Sequence, residues 1–276
     1  FDVHEIWKNQ TKSLVEQGPG NIFYAYASDH AFQDLMQYVD KYRGTPNPLF
    51  LSGFDGRLSG EHSTAHFVKT LKEVISKHLP RHQLLNDWDR YSRLLQASLE
   101  RKNLPIDNKT VSSHIDENYQ LIDQLKSIDA HQQFDSPAYY AQLLKGVNRV
   151  FEVLHGFRRH DEHDIVMADN IHWMLNNVYK NKKVIVWGHY IHVNPLGFVK
   201  LRYDNLGSIL DKSFAENSFY VNFQGISGNY KNYIDGSTVA IPKLKSSHLA
   251  TDLPYHSVNA AQYFNIGQLN TDNVLK

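Results

Sequence analysis

The sequence predicts an α/β fold: a mostly parallel central sheet flanked by helices, with a helical subdomain inserted. Two apolar runs of strand length, Leu49-Phe50-Leu51 and Val184-Ile185-Val186-Trp187, each lead through a glycine into a polar loop. Buried parallel strands read this way, because both of their faces are covered. Helical stripes alternate with those runs, which implies right-handed crossovers. From 83 to 157 helix follows helix with no strand pattern between. The expected organisation is therefore 1–82 as the first part of the α/β core, 83–160 as a helical insertion and 161–276 as the second part of the core.

In chain order, 29–43 places Phe32, Leu35, Met36 and Val39 at helical spacing behind Asp29, a candidate N-cap, and Pro46 and Pro48 stop it. The run at 49–51 is the first strand. A second helix covers 62–77 with Phe67, Leu71, Val74 and Ile75 on one side. Three further stripes follow: Trp88, Tyr91, Leu94, Leu95 and Leu99; then Tyr119, Ile122, Leu125 and Ile128; then Tyr140, Leu143, Leu144, Val147 and Phe151. Pro105 and Pro137 punctuate them. The stretch 164–179 is a helix through Met167, Ile171, Met174, Leu175 and Val178; 183–188 is a central strand; 205–214 is a helix; 218–223 and 262–266 are strands. Ligands of such sheets sit beyond the carboxyl ends of the strands. Gly53-Phe54-Asp55 and His189-Tyr190-Ile191-His192 occupy that position.

Composition removes several function classes. Lys+Arg and Asp+Glu are both 29, a formal net charge of zero, so no global field favours nucleic acid. The chain has no cysteine, which excludes thiol nucleophiles, thiolate metal sites and disulfides and leaves the compartment open. No apolar run approaches the ~20 residues of a membrane span. Oligomeric state is not encoded in any recognisable pattern. The opening Phe-Asp-Val-His-Glu-Ile-Trp reads as the interior of a domain, and the expectation is that an N-terminal portion is missing. Histidine is the unusual feature, with sixteen residues.

Three clusters carry chemistry. The strand 184–188 delivers Gly188 and then His189 and His192, three apart. At a rigid strand end these imidazoles suit a general base with an oxyanion donor, or two metal ligands, or simple hydrogen bonds to loop backbone. In His160-Asp161-Glu162-His163-Asp164, Asp164 suits the N-cap of the following helix, whose positive end also favours an anionic substrate or intermediate. His160 and His163 are alternative metal ligands there, but no third ligand of clear spacing accompanies them. Asp55 suits orientation of a histidine, contact with substrate hydroxyls, or the cap of a glycine-flanked turn. No GxSxG, HExxH or phosphate-binding glycine loop occurs, which disfavours three common enzyme classes. With no cysteine and no three-ligand motif, no tightly bound zinc is expected, and no cofactor.

Taken together, three segments resemble one family. His163-Asp164-Ile165-Val166-Met167-Ala168-Asp169-Asn170-Ile171-His172-Trp173-Met174-Leu175 resembles its R-D-x-x-M-A-x-N-h-x-W-L-L helix. Residues 183–193 resemble its h-W-A-H-N-x-H-V strand and loop, and 50–55 resemble its h-x-G-h-D strand. The family is that of the erythromycin esterases and succinoglycan biosynthesis-like proteins. The resemblance implies an α/β core and metal-independent hydrolysis of an ester or lactone by histidine-assisted attack of water. It implies catalytic roles for His189 and His192, and substrate contacts for Asp55, His163, Asp164 and Tyr190. His163 stands where the family has arginine, and Tyr190 where it usually has asparagine. The family's Gly-Glu-x-x-His-Gly strand, which carries the proposed base, is not in this sequence, and Glu61-His62 does not replace it. The expected function is hydrolysis of a small natural product or glycan-linked ester. Its rivals are a small-molecule-binding protein that lacks the base, and a histidine-rich metal-binding protein.

Overall fold

The computed structural model describes residues 1–23, 27, 29–128, 132–158, 162–195, 204–221, 229–232 and 236–241. Two compact units divide the chain, Phe1–Ala215 and Glu216–Lys276.

The first unit is built from helices. After α1 (Asp2–Lys8) and the short α2 (Leu14–Gln17), α3 runs His30–Arg43 and α4 Glu61–His78. A 3-10 turn, Gln83–Asp87, leads into α5 (Trp88–Leu99), α6 (Asn108–Ser127) and α7 (Pro137–Leu154). Then come α8 (His163–Asn177), the single turn α9 (Tyr190–Val193) and α10 (Leu206–Phe214). Side-chain caps start several of these helices. Asp29 accepts from Phe32 N–H as its position predicted, and Asp107, Ser136 and Asn205 do the same for α6, α7 and α10.

One core joins α4 through α7. Phe67, Leu71 and Ile75 of α4 pack with Tyr91 and Leu95 of α5, Leu121 and Leu125 of α6, and Leu144 and Val147 of α7. All of these but Leu121 are residues that the 3.6-residue spacing placed on one face; Tyr119, expected in the α6 stripe, is exposed instead. A second cluster, Met167, Ala168 and Ile171 of α8 with Leu206 of α10, gathers Phe54, Val186 and Val193 around it. The loop bearing Asp55 threads between helices through two glycines. A Cβ on Gly146 of α7 would strike the Gly56 carbonyl, and one on Gly56 would strike Val166 of α8.

The second unit shows a hairpin. β1 (Asn229–Lys231) pairs antiparallel with β2 (Thr238–Ala240), with Asn229 opposite Ala240 and Lys231 opposite Thr238.

The parallel central sheet expected from the sequence is not found: among the described residues the sheet content is this one antiparallel pair. Residues 49–51, 183–188 and 218–221 carry no strand. Ile185, which a central strand would bury, is 95% exposed, and Val184 and Trp187 are also exposed. Val186 of that run turns inward, onto the α8 cluster, and Trp187 meets the buried Phe32 ring edge to face. The physical reason is that strand character belongs to a pair. An apolar β-branched run prefers the pleated conformation, but burial on both faces needs neighbours and covering layers that the run itself does not encode. The strand expected at 262–266, and residues 222–223 of another, lie outside the described residues.

Candidate active site

The first turn of α8 organises the site. Glu162 precedes the helix without a side-chain cap, and Arg149 and Arg158 hold its carboxylate at 2.6 and 3.1 Å. Asp164 is not the N-cap that its sequence position suggested. It lies inside the first turn, buried, and points toward α9 and α10. Its Oδ1 is 2.8 Å from His192 Nδ1 and accepts the Leu206 N–H at 3.1 Å. Two donors on a buried carboxylate offset the cost of taking it out of water.

The turn that carries His192 is fixed from below. Asn205, fully buried, caps α10 through its Oδ1 and donates from Nδ2 to the Ile191 carbonyl at 2.8 Å. Gly207 lets the start of α10 lie directly on the turn, because a Cβ there would collide with the Val193 carbonyl. His192 N–H and Val193 N–H both donate to the His189 carbonyl, at 2.8 and 3.2 Å. The two loop histidines are thus inequivalent. His192 is a half-buried imidazole held by a carboxylate. His189 is exposed, and its Nδ1 accepts the Ile191 N–H at 3.3 Å.

His163 joins the pair to the Asp55 loop. Its ring meets that of His192 edge to face, with centroids 6.0 Å apart. Its Nε2 is 3.6 Å from Asp55 Oδ1. Burial pushes the His163 pKa below the usual imidazole value; Asp55 and Asp164 pull it back, and Arg57 and His192 push it further down. Asp55 also accepts from the Arg57 backbone N–H at 2.8 Å, and its carboxylate takes the Arg57 guanidinium on both oxygens.

Asp55, His163, Asp164 and His192 therefore converge. Tyr190's side chain and His160 lie outside the described residues. Two residues have roles that the sequence reading did not assign. Arg57 brings a permanent cation close to His163. Asn170 donates to the Phe54 carbonyl at 2.9 Å and accepts from Gln142 at 2.7 Å, so it anchors the Asp55 loop to α7 and α8. The signal for Asn170 was present, since it is the asparagine of Met-Ala-x-Asn.

Among the described residues one group has three ligands suited to a cation: His4, Glu5 and Asp135, whose atoms lie within 4.8 Å of one another. Lys8 Nζ already sits on the two carboxylates, at 2.9 and 3.2 Å, so an internal ammonium fills that position.

The sequence signature of the erythromycin esterases matches residues 13–249. The chain belongs to the erythromycin esterase family. Within reach of that family lies YbfO of Bacillus subtilis (strain 168), whose name places it provisionally among the hydrolases. It is 21% identical over 271 residues, which cover 86% of this chain and 58% of YbfO. A crystal structure of a Bacillus cereus protein shares the fold with a TM-score of 0.61 at 16% identity, covering 90% of this chain and 61% of that one. The erythromycin esterase-family chain described here thus spans about three fifths of the length of the relatives it matches.

Proposed function

We propose that this chain carries the imidazole side of an ester or lactone hydrolase site, acting on a small natural product or glycan-linked substrate. The observation that supports it most is the buried Asp164 on His192 Nδ1, at the family's own motif positions. A carboxylate on Nδ1 leaves Nε2 as the lone-pair nitrogen, the arrangement of an oriented general base. His192 Nε2 would take a proton from water as its oxygen adds to the acyl carbon. The resulting oxyanion would face the N-terminal end of α8 and the Arg57 guanidinium. Collapse expels the alkoxide, which takes the proton back from His192. Hydrolysis of this kind needs no redox partner or cofactor.

The test is ester and lactone turnover in two settings. The 276-residue chain alone is expected to hydrolyse aryl esters no faster than free imidazole, because the segment that by resemblance carries a further base is not in its sequence. With a segment bearing the family's Gly-Glu-x-x-His-Gly motif joined to it, turnover should rise. His192→Ala should then remove about 10²–10⁴-fold of it. Turnover that ignores His192→Ala overturns the reading. Ligand that binds and is not turned over in the longer protein returns the non-catalytic binding alternative, which the replacement of the family's arginine by His163 favours.

A further inference from the structure

We propose that His62 and His66 of α4 chelate a divalent first-row transition cation at a cleft between α1 and α4. The cleft has a volume of about 310 Å³, and Glu5 and Lys8 of α1 face His62, His66, Lys69 and Glu73 of α4 across it. Positions four apart share one helix face, and the two rings stand with centroids 6.0 Å apart. Two imidazoles at this spacing on a helix are a known bidentate arrangement for zinc-like ions.

The other charged groups of the cleft are already engaged. Lys8 bridges Glu5 and Asp135, and Lys69 lies 3.9 Å from Glu73. The ring nitrogens of His62 and His66 have no hydrogen-bond or ion-pair partner among the described residues. Their backbone is held in place. Glu61 N–H donates to the Gly20 carbonyl at 2.9 Å, His62 N–H to Asn21 Oδ1 at 3.0 Å, and Ser63 N–H to Asp2 Oδ1 at 2.6 Å. Only side-chain rotations remain to be fixed on binding.

Charge decides whether a cation is tolerated. The helix N-terminus disfavours one, but Asp2 and Glu61 lie in or against that first turn. The cleft itself sets the carboxylates Glu5, Glu73 and Asp135 against the ammonium groups Lys8 and Lys69. Neutral imidazole selects copper, nickel and zinc over magnesium and calcium. With two protein nitrogens and solvent completing the shell, the ion would exchange freely. This is not the four-ligand structural zinc that the sequence argues against.

The experiment is calorimetric titration of the untagged, chelator-stripped 276-residue chain with CuCl2, NiCl2, ZnCl2 and, as control, MgCl2. One ion per chain is expected, copper tightest and magnesium absent. His62→Ala and His66→Ala should each weaken binding about tenfold or more, and His78→Ala, at the far end of the same helix, should leave it unchanged. Alanine at these helix positions keeps the helix intact, and circular dichroism checks this. As a second readout, the two imidazoles should be the first to broaden under substoichiometric NiCl2 in NMR spectra. Binding that survives both substitutions, or a Kd weaker than about 1 mM for every ion, overturns the proposal. Neither result bears on ester hydrolysis.

Discussion

Asp164 Oδ1 lies 2.8 Å from His192 Nδ1 and 3.1 Å from the Leu206 nitrogen, so one carboxylate oxygen joins the first turn of α8, the α9 turn and the start of α10. Removing it leaves two donors unanswered in a buried place. Asp164→Ala should therefore cost about 1–3 kcal/mol of stability, read as a urea midpoint. Asp164→Asn is the sharper variant, because an amide accepts as well as donates and no longer selects the tautomer. Side-chain 15N shifts of His192 should report the Nδ1–H form in the parent and a mixture in Asp164→Asn. An unchanged tautomer would show that the carboxylate does not govern this imidazole.

Gly207 gives a backbone test of the same junction. A methyl group there collides with the Val193 carbonyl, and neither partner is a flexible side chain. Gly207→Ala should destabilise by about 1–3 kcal/mol, as overpacking does, and should disturb His192 resonances more than those of His62. A neutral outcome would mean that α10 does not rest on the turn as described.

His163 has a lowered pKa because burial outweighs the attraction of Asp55 and Asp164. Where the family carries a permanent cation, this site is neutral at pH 7, and Arg57 is the fixed positive charge nearby. The folded state resists protonation that the unfolded chain accepts near pH 6.5. The contribution of His163 to stability is thus complete above that value and is lost as pH falls through the lower, folded pKa. In an NMR titration the midpoint should fall below 6.5. It should rise in Arg57→Gln, which removes a repelling charge, and fall further in Asp55→Asn, which removes an attracting one. Shifts in the opposite sense would undo the charge assignment.

Much of the helical framework was legible in the sequence because helix periodicity is local. The stripe Phe67, Leu71, Ile75 and the cap at Asp29 need no knowledge of anything distant. Asp55, His163, Asp164 and His192 stood out as candidates through their clusters and through resemblance, and they lie near one another in the structure. The Asp164–His192 bond was not legible, because it links residues 28 apart and the local rules favoured an N-cap. His114 shows the same limit: a single histidine among polar helix residues gives no local sign of burial, yet it lies fully buried between Tyr91 and Phe151, with ring centroids at 5.1 and 4.7 Å.

That buried ring makes a stability prediction. Neither nitrogen of His114 has a hydrogen-bond partner, and Glu117 is too distant at 3.9 Å. Burial lowers its pKa despite the neighbouring Glu117, and burial also lowers those of His155 and His82. All three lose their contribution as pH falls below about 6.5. His114→Leu removes one titrating group and two unsatisfied atoms. Its advantage over the parent should be larger at pH 5 than at pH 7.5, since only the parent has to resist that protonation in the folded state. Urea unfolding at the two pH values measures it. Parallel acid losses in the two proteins would place the acid sensitivity elsewhere.

The exposed run at 184–187 offers a direct test of the fold correction. Val186 packs on the α8 cluster, whereas Ile185 projects into water with 95% of its surface exposed. In a central parallel strand, a lysine at 185 would bury an unpaired ammonium and cost several kcal/mol. At an exposed site the same change should stay within about 0.5 kcal/mol. It should also interrupt a β-branched apolar segment of the kind that promotes association. Ile185→Lys is therefore expected to leave the urea midpoint of the 276-residue chain nearly unchanged, raise its solubility and reduce its binding of a hydrophobic dye. Val186→Lys, one residue on, should unfold the α8 cluster, because that side chain faces inward. If both substitutions proved equally damaging, residues 184–187 would be covered on two sides in solution, and the description of this run as an exposed segment outside any strand would have to be withdrawn.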